Sequence, residues 1–460
     1  MHLKIGKGWI YRGIAILGLV AAVALVLIVP NRFKEPDDWA YYYAAVNFSH
    51  GQLTIGDTLH QQQVAEAQKQ GGQLMQYVKI SSNTWALEKT PGYVFFVIPF
   101  YLLGVPELAN IMLATAFALV TYLLLKHLKD ERAACCGVLL VLFSPAGLAM
   151  MQRDFMDGFA SAAMPGIGGV LYILYILRKK EMSRLASDCL LFFGALFLGL
   201  GVLVRYTDAV ILVVFALHFG ITRVQAILNG RRADVLREVI LFGLGAAIPV
   251  ALLLWYQNNV FGSPFIDGYK YTTGDVEFAY DYLGQPRAWQ IISGNLKSMW
   301  RPLLVAFPLL LAALPGMAIA LYQQTALAVP ALHRRLQVRL VWTSLGLNLT
   351  LLLVGWFVAI FGLYIMYEWT ANQGTARPFI VVTRFYLPAL LPMVVMAVLF
   401  LSKLPGKLVL ILMTATLVVG GIFFVQSAHS SIGGGGAQIP PQNQRPPLGP
   451  GGTRLPPRIT

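Results

Sequence analysis

Residues 106–132 read PELANIMLATAFALVTYLLLKHLKDER. No charge interrupts the run from Leu108 to Leu125, and the run then stops in a cluster of basic and acidic side chains. A helix rises 1.5 Å per residue, so roughly 20 residues cover a hydrocarbon core about 30 Å thick. The stretch reads as a transmembrane helix with one end in water, and similar stretches recur along the chain. Of the 460 residues, 57% are hydrophobic and 12% are charged, the latter about half the share usual in soluble proteins. A water-soluble fold of this length cannot hide that much apolar surface. The composition excludes a soluble enzyme, a disordered protein and a disulfide scaffold. The implied fold class is all-α and polytopic, because only helices or closed barrels satisfy the backbone in lipid.

Eleven segments are long and apolar enough to cross, at roughly 13–30, 106–126, 133–150, 159–177, 187–204, 208–222, 238–257, 303–323, 340–365, 385–402 and 407–426. The first lacks a small-x-small cleavage site and reads as a span, not a cleaved leader. Lys4, Lys7 and Arg12 precede it, and the loops KHLKDER, RKKEMSR, RVQAILNGRRADVLR and HRRLQVR, with Lys403 and Lys407, all fall on the same side of an eleven-span chain. The positive-inside rule makes that side cytoplasmic. It accounts for the net charge of +14 without a nucleic-acid partner. The other side receives a long first loop at 31–105, the segments 258–302 and 366–384, and the tail 427–460. That Gly/Pro-rich tail reads as disordered, which leaves 1–426 as one membrane-embedded domain. Within the first loop, DDWAYYYAAVNFSHG reads as an amphipathic helix lying on the membrane with its aromatics towards headgroups, and PGYVFFVIPFYLLG as a short interfacial or re-entrant helix.

Charges at the outer boundary cost free energy unless paired or used. Asp37 and Asp38 open the surface helix and have two readings: helix cap, or general base for a hydroxyl. Lys89, in Glu88-Lys89-Thr90-Pro91-Gly92-Tyr93, either reaches for headgroups or grips the phosphate of a membrane-anchored ligand. Arg205 and Asp208, in VLVRYTDAV, are close enough in sequence to pair with each other. Arg153, Asp154 and Asp157 cluster in MQRDFMDGF, where Asp154 is placed to cap the next helix. Arg384 opens the tenth segment on the face where arginine is unusual, which favours a binding role. Asn47-Phe48-Ser49 is a formal glycosylation sequon. Nothing indicates a cofactor or a metal: there is no phosphate-binding Gly loop, and the seven histidines show no ligand spacing. Cys135, Cys136 and Cys189 lie in or beside apolar runs and read as buried thiols.

This layout resembles the GT-C class of integral-membrane glycosyltransferases, most nearly the branch of protein O-mannosyltransferases and bacterial aminoarabinose transferases. That branch carries an Asp-Glu pair followed by Tyr and Ala on one helix. Asp37-Asp38-Trp39-Ala40-Tyr41 with Ala45 is similar, with Asp38 in place of the Glu. Lys89-Thr90-Pro91-Gly92-Tyr93 resembles its Lys-x-Pro-Gly form. Arg205 matches a basic residue after the fifth span. Tyr256 with Phe261-Gly262-Ser263-Pro264 and Gly268-Tyr269 fits a later motif, and Arg384-Phe385-Tyr386-Leu387-Pro388 a last one. The resemblance covers roughly 10–426. It implies an inverting transfer of sugar from a polyprenyl-phosphate donor to a hydroxyl of a lipid, glycan or protein on the external face. Asp37, or its neighbour Asp38, would be the base. Lys89, Arg205 and Arg384 would hold the donor phosphate, Asp154 and Tyr269 would support them, and Tyr and Trp of the outer loops would stack on sugar rings. A polytopic transporter or lipid flippase, or a non-catalytic subunit of a glycan-assembly complex, are the alternatives. A transporter predicts charges near the bilayer midplane, whereas these sit at the outer boundary.

Overall fold

The computed structural model describes residues 7–28, 35–228, 230, 232–272, 278–333, 345–371 and 382–429. Within these, helix α1 (Lys7–Ile28) leads to α2 (Pro36–Ser49), strand β1 (Thr54–Gly56), α3 (Asp57–Lys69), β2 (Tyr77–Ser81), β3 (Thr84–Leu87) and α4 (Gly92–Leu102). Then follow α5 (Glu107–Leu128), α6 (Glu131–Phe143), α7 (Pro145–Met151), α8 (Gly158–Arg178), α9 (Arg184–Val204), α10 (Ala209–Leu228) and α11 (Arg232–Phe261). The chain closes with α12 (Pro286–Ala306), α13 (Leu310–His333), α14 (Leu345–Ile365), a 3₁₀ turn Arg384–Ala389 running into α15 (Leu390–Leu401), and α16 (Gly406–His429).

Among the described residues, eight helices are long and apolar enough to cross a membrane, or ten if two bent pairs each count as one span. The chain is therefore an all-α polytopic membrane protein. Side chains such as Leu217, 62% exposed on α10, and Leu244, 54% exposed on α11, face outward where lipid removes the cost of exposing them. Two expected spans are corrected. The segment at 133–150 breaks between α6 and α7 with a bend of 59°. Pro145 has no N–H to continue the ladder, and Ser144 caps α7 by accepting from Gly147 N at 3.1 Å. The segment at 303–323 spans a second break, where α12 and α13 meet at 105° around Pro308. Thus α12, expected as loop, is a helix set across the direction of α13. The residues at 340–344 and 430–460, with the proposed tail, lie outside the described residues.

Close helix contacts follow from small residues. A Cβ on Gly168 of α8 would lie 2.7 Å from the Gly194 carbonyl oxygen of α9, and one on Gly245 of α11 would lie 2.5 Å from the Phe192 oxygen. Such positions let α8, α9 and α11 pack backbone to backbone. At the end of the bundle where α5 and α8 finish, Glu131 holds Arg12 and Lys126, Asp188 holds Arg237, and Glu238, 1% exposed, binds Lys179 and Arg223.

The first loop is more ordered than its sequence announces. Its three strands form an antiparallel sheet in the order β1-β3-β2. His60 of α3 stacks on Trp85 of β3 at 3.7 Å. Asn47 of α2 exchanges amide hydrogen bonds with Gln63 of α3, and its amide also donates to the Tyr77 hydroxyl of β2 at 3.1 Å. Asn47 is 3% exposed, so the sequon is inside the fold. Helix α2 itself corrects the expectation of a lipid-facing surface helix. Trp39, Tyr41 and Tyr43 are buried, Trp39 stacks on Tyr43, and Tyr41 meets Tyr93 of α4 edge-on. Its aromatics serve protein packing, because the sheet, α3 and α4 cover it.

The turn before α4 fixes the geometry around Lys89. Thr90 donates its hydroxyl to the Val204 carbonyl at the end of α9. A Cβ on Gly92 would lie 2.4 Å from the Leu203 carbonyl oxygen and 2.6 Å from Val204 N. Gly92→Ala is expected to force α4 from α9 at a cost of about 1–3 kcal/mol, lowering the thermal unfolding midpoint by several degrees. Gly220→Ala, which meets nothing within 4 Å, is the control and should leave the midpoint unchanged or raise it.

Candidate active site

Several elements end together, and the cavity between them has a volume of about 310 Å³. The first turn of α2 supplies Asp37, the turn before α4 supplies Glu88 and Lys89, and the start of α8 supplies Asp157. The end of α9 supplies Arg205, and the start of the last 3₁₀ turn supplies Arg384. Three carboxylates and three cations thus line the cavity. Tyr206, Tyr269, Tyr364, Tyr367, Trp369 and Phe385 make the rest largely aromatic. The cavity lies where α9 ends and α8 begins, opposite the basic clusters of Lys179, Arg223 and Arg237.

The two adjacent acids of α2 have different surroundings. Glu35 is the N-cap, so neither Asp37 nor Asp38 occupies the capping position. Asp38 turns back to accept from Glu35 N at 2.9 Å and forms a buried ion pair with Arg153. It is 2% exposed and does not line the cavity. Asp37 points the other way. Its Oδ2 accepts from Arg384 Nη2 at 2.6 Å, and its Oδ1 lies 3.8 Å from Lys89 Nζ. That Oδ1 accepts no hydrogen bond among the described residues. Burial alone would raise the Asp37 pKa, but the charges of Lys89 and Arg384 outweigh it and hold the carboxyl at about 2.

Lys89 is held by neighbours, not by solvent. Its Nζ donates to Glu88 Oε1 at 3.0 Å and to the Tyr269 hydroxyl at 2.9 Å. Burial works against its charge, yet Glu88, Tyr269 and Asp37 keep its pKa above the usual lysine value. Burial raises the pKa of Glu88 despite that neighbour. Tyr269 reaches Lys89 because Gly268 lies against the Glu88 backbone, where a Cβ would be 2.4 Å from the carbonyl oxygen. Arg205 does not pair with Asp208. Its Nε and Nη2 donate to Asp157 at 3.0 and 2.8 Å, while Nη1 has no partner among the described residues. Phe385 packs 5.5 Å from its guanidinium. Asp154 does not line the cavity and does not cap α8, whose N-cap is Asp157; the Asp154 carbonyl instead accepts from the Tyr93 hydroxyl.

Asp37, Lys89, Arg205, Arg384 and Tyr269 thus meet at one cavity, and Asp38 and Asp154 stand behind it. Sequence reasoning left Glu88, Asp157 and the aromatics Tyr206 and Tyr364 without a role. Asp157 stood beside Arg153 in MQRDFMDGF, but nothing local reveals its pairing with a residue 48 positions on. Of the loop Tyr and Trp residues expected to meet a sugar, Tyr269, Tyr367 and Trp369 line the cavity, whereas Trp289 and Trp300 of α12 are exposed elsewhere. No group of three or more His, Cys, Asp or Glu among the described residues has metal-binding geometry.

No protein-family model and no curated protein sequence matches the chain. Among solved structures, the oligosaccharyltransferase of Archaeoglobus fulgidus aligns with a TM-score of 0.52 at 13% identity, over 93% of this chain and 57% of that one. The chain shares the fold of that oligosaccharyltransferase. It spans a little over half of its length. The same protein, AglB, in complex with an inhibitory peptide and a dolichol-phosphate, aligns at 14% identity and a TM-score of 0.52 over 92% of this chain and 56% of that one. ArnT from Cupriavidus metallidurans, bound to undecaprenyl phosphate, has 12% identity and a TM-score of 0.49, over 87% and 61% of the two chains.

Two predictions follow from the pairs around α2. Asp38→Ala leaves Arg153 as an uncompensated buried charge, a loss of about 3–5 kcal/mol. The thermal midpoint of the purified protein should fall sharply, and Asp38→Leu combined with Arg153→Met should recover part of it. For Asp37 the folded-state pKa is below the unfolded one, so its ion pairs stabilise the fold fully above about pH 4 and lose that contribution as pH falls towards 2. Between those pH values the wild-type midpoint should fall more steeply than that of Asp37→Asn.

Proposed function

We propose that this chain is a GT-C class membrane glycosyltransferase, of the branch that includes protein O-mannosyltransferases and aminoarabinose transferases. It moves a sugar from a polyprenyl-phosphate donor to a hydroxyl of a lipid, glycan or protein, with inversion. One observation carries the reading. Asp37, whose Oδ1 accepts no hydrogen bond among the described residues, lines a cavity together with Lys89, Arg205 and Arg384. A proton acceptor beside three cations suits a reaction in which a hydroxyl loses a proton while a phosphate gains charge.

Asp37 Oδ1 takes the proton of the acceptor hydroxyl. The oxygen forms a bond to the anomeric carbon as the bond from that carbon to the phosphate oxygen breaks. The phosphate keeps the electron pair and leaves as a monoester, its charge rising from about −1 towards −2. Lys89, Arg384 and the unpartnered Nη1 of Arg205 stabilise that growing charge more than the ground state. Displacement in one step inverts the anomeric centre. Tyr269 and Glu88 orient Lys89, Asp157 orients Arg205, and Tyr364, Tyr367 and Trp369 offer faces for a sugar ring. The shared fold with AglB, which is seen in complex with a dolichol-phosphate, supports a lipid-phosphate donor. The basic clusters at the opposite end of the bundle support an external site with a cytoplasmic N-terminus.

The test is turnover of a panel of polyprenyl-phosphate sugars by the reconstituted full chain, read as release of polyprenyl phosphate. Asp37→Asn is expected to lower release by roughly 10²–10⁴-fold at unchanged expression. Lys89→Ala should weaken donor use by about 1.5–3 kcal/mol, the worth of one charged hydrogen bond. Wild-type turnover by Asp37→Asn would sink the reading of Asp37 as base. Wild-type chain inert towards every donor would point to a non-catalytic subunit.

A further inference from the structure

Asp37 is poorly placed to act as a base while it keeps both of its cations. Its Oδ2 receives the hydrogen bond of Arg384, and its Oδ1 faces Lys89. The pair holds its proton affinity far below that of a useful base at neutral pH. The cations are not equally committed. Lys89 keeps Glu88 and Tyr269 as partners if Asp37 is removed. Arg384 hydrogen-bonds no other oxygen among the described residues: its Nη1 donates to the sulfur of Met156, its Nε is unpaired, and the buried Glu35 acts on it through charge without a hydrogen bond. The cavity wall is also balanced in charge, with Asp37, Glu88 and Asp157 against Lys89, Arg205 and Arg384. An entering phosphate makes it net negative, and Asp37, which of these three carboxylates is the one within 4 Å of two of the cations, loses most from sharing them.

We propose that Asp37 and the donor phosphate compete for Arg384 and Lys89, so that Asp37 becomes an effective base only once a phosphate has taken those two cations. The inference rests on the reading of the cavity as a lipid-phosphate sugar site and adds the control of that site. Arrival of the phosphate releases Oδ2 from Arg384 and raises the proton affinity of the carboxylate. The proton it then accepts is the one the acceptor hydroxyl loses. As the leaving phosphate gains charge, it draws the guanidinium and ammonium further from Asp37, so proton uptake and bond cleavage reinforce each other. Without a phosphate the base is held inactive and cannot activate water in the same cavity. Arg205 takes no part in the exchange, because Asp157 holds it through two hydrogen bonds.

The test uses farnesyl phosphate, a short prenyl phosphate monoester, titrated against the full chain in detergent. Removing the competing carboxylate in Asp37→Asn should tighten binding about tenfold, the scale of one charged hydrogen bond. Asp57→Asn removes an equal charge from the same first loop at a position that does not line the cavity, and should change binding less than twofold. A second measurement uses the wild type. Carbodiimide labelling of Asp37 at pH 5–6, followed by peptide mass spectrometry, should rise several-fold when farnesyl phosphate saturates the site, because the reagent needs a protonated carboxyl. Equal binding by wild type and Asp37→Asn, with labelling unchanged, would overturn the exchange and leave the proposed function standing. Equal tightening in both variants would reduce the effect to net charge and overturn it as well. Farnesyl phosphate that binds neither wild type nor Asp37→Asn would overturn the proposed function itself.

Discussion

The ion pair between Asp37 and Arg384 joins residues 347 positions apart, and most of the cavity depends on its closing. A charge removed from water costs several kcal/mol, and the interior repays that cost only when the partner arrives with good geometry. Neither residue can be buried alone. The first turn of α2 and the start of the last 3₁₀ turn must therefore meet, and the helices between them must bring the other charges to the same level. Asp38 with Arg153 and Asp157 with Arg205 obey the same rule. Together they tie α2, the α7–α8 connection, α8, α9 and the 3₁₀ turn before α15 into one polar end on an otherwise apolar bundle.

Within that end, burial and pairing divide the labour. Asp38 is spent on the helix start and on Arg153, and has no face on the cavity. Asp37 keeps one oxygen that accepts no hydrogen bond among the described residues. Adjacent residues of a helix point about 100° apart, so a pair of like acids can serve packing on one side and chemistry on the other. The same economy governs the turn before α4. Thr90 and Gly92 hold it against α9, and Lys89 is thereby aimed at the residues that follow α9.

Membrane burial explains where the chain departs from uniform spans. Breaks fall at Pro145 and near Pro308, where a missing N–H ends one helix and the next starts in a new direction. The bend of 105° turns α12 aside from α13, and its exposed Trp289 and Trp300 face away from the cavity. The ordered first loop has the opposite role. Through Asn47, Gln63 and Tyr77 it clamps α2 from outside the bundle, so the helix that carries Asp37 is fixed by side chains far from the charges.

The amino-acid sequence alone settled the class of fold. Apolar runs of membrane length are a local property, and the physics that makes them helical in lipid needs no knowledge of neighbours. It also marked Asp37, Lys89, Arg205 and Arg384, because charge at the edge of such runs is costly and so conspicuous. Some motifs acquired a physical reason afterwards: Gly92 and Gly268 are glycines because backbone passes where a Cβ would sit. Which charge meets which was settled by packing between distant segments. Local spacing suggested Arg205 with Asp208, whereas the fold pairs it with Asp157; it suggested Asp154 as a cap, whereas Asp157 takes that position. The lipid-facing helix became a buried one for the same reason. Side-chain periodicity records that a face is apolar, but whether lipid or protein covers it depends on elements that arrive from elsewhere in the chain.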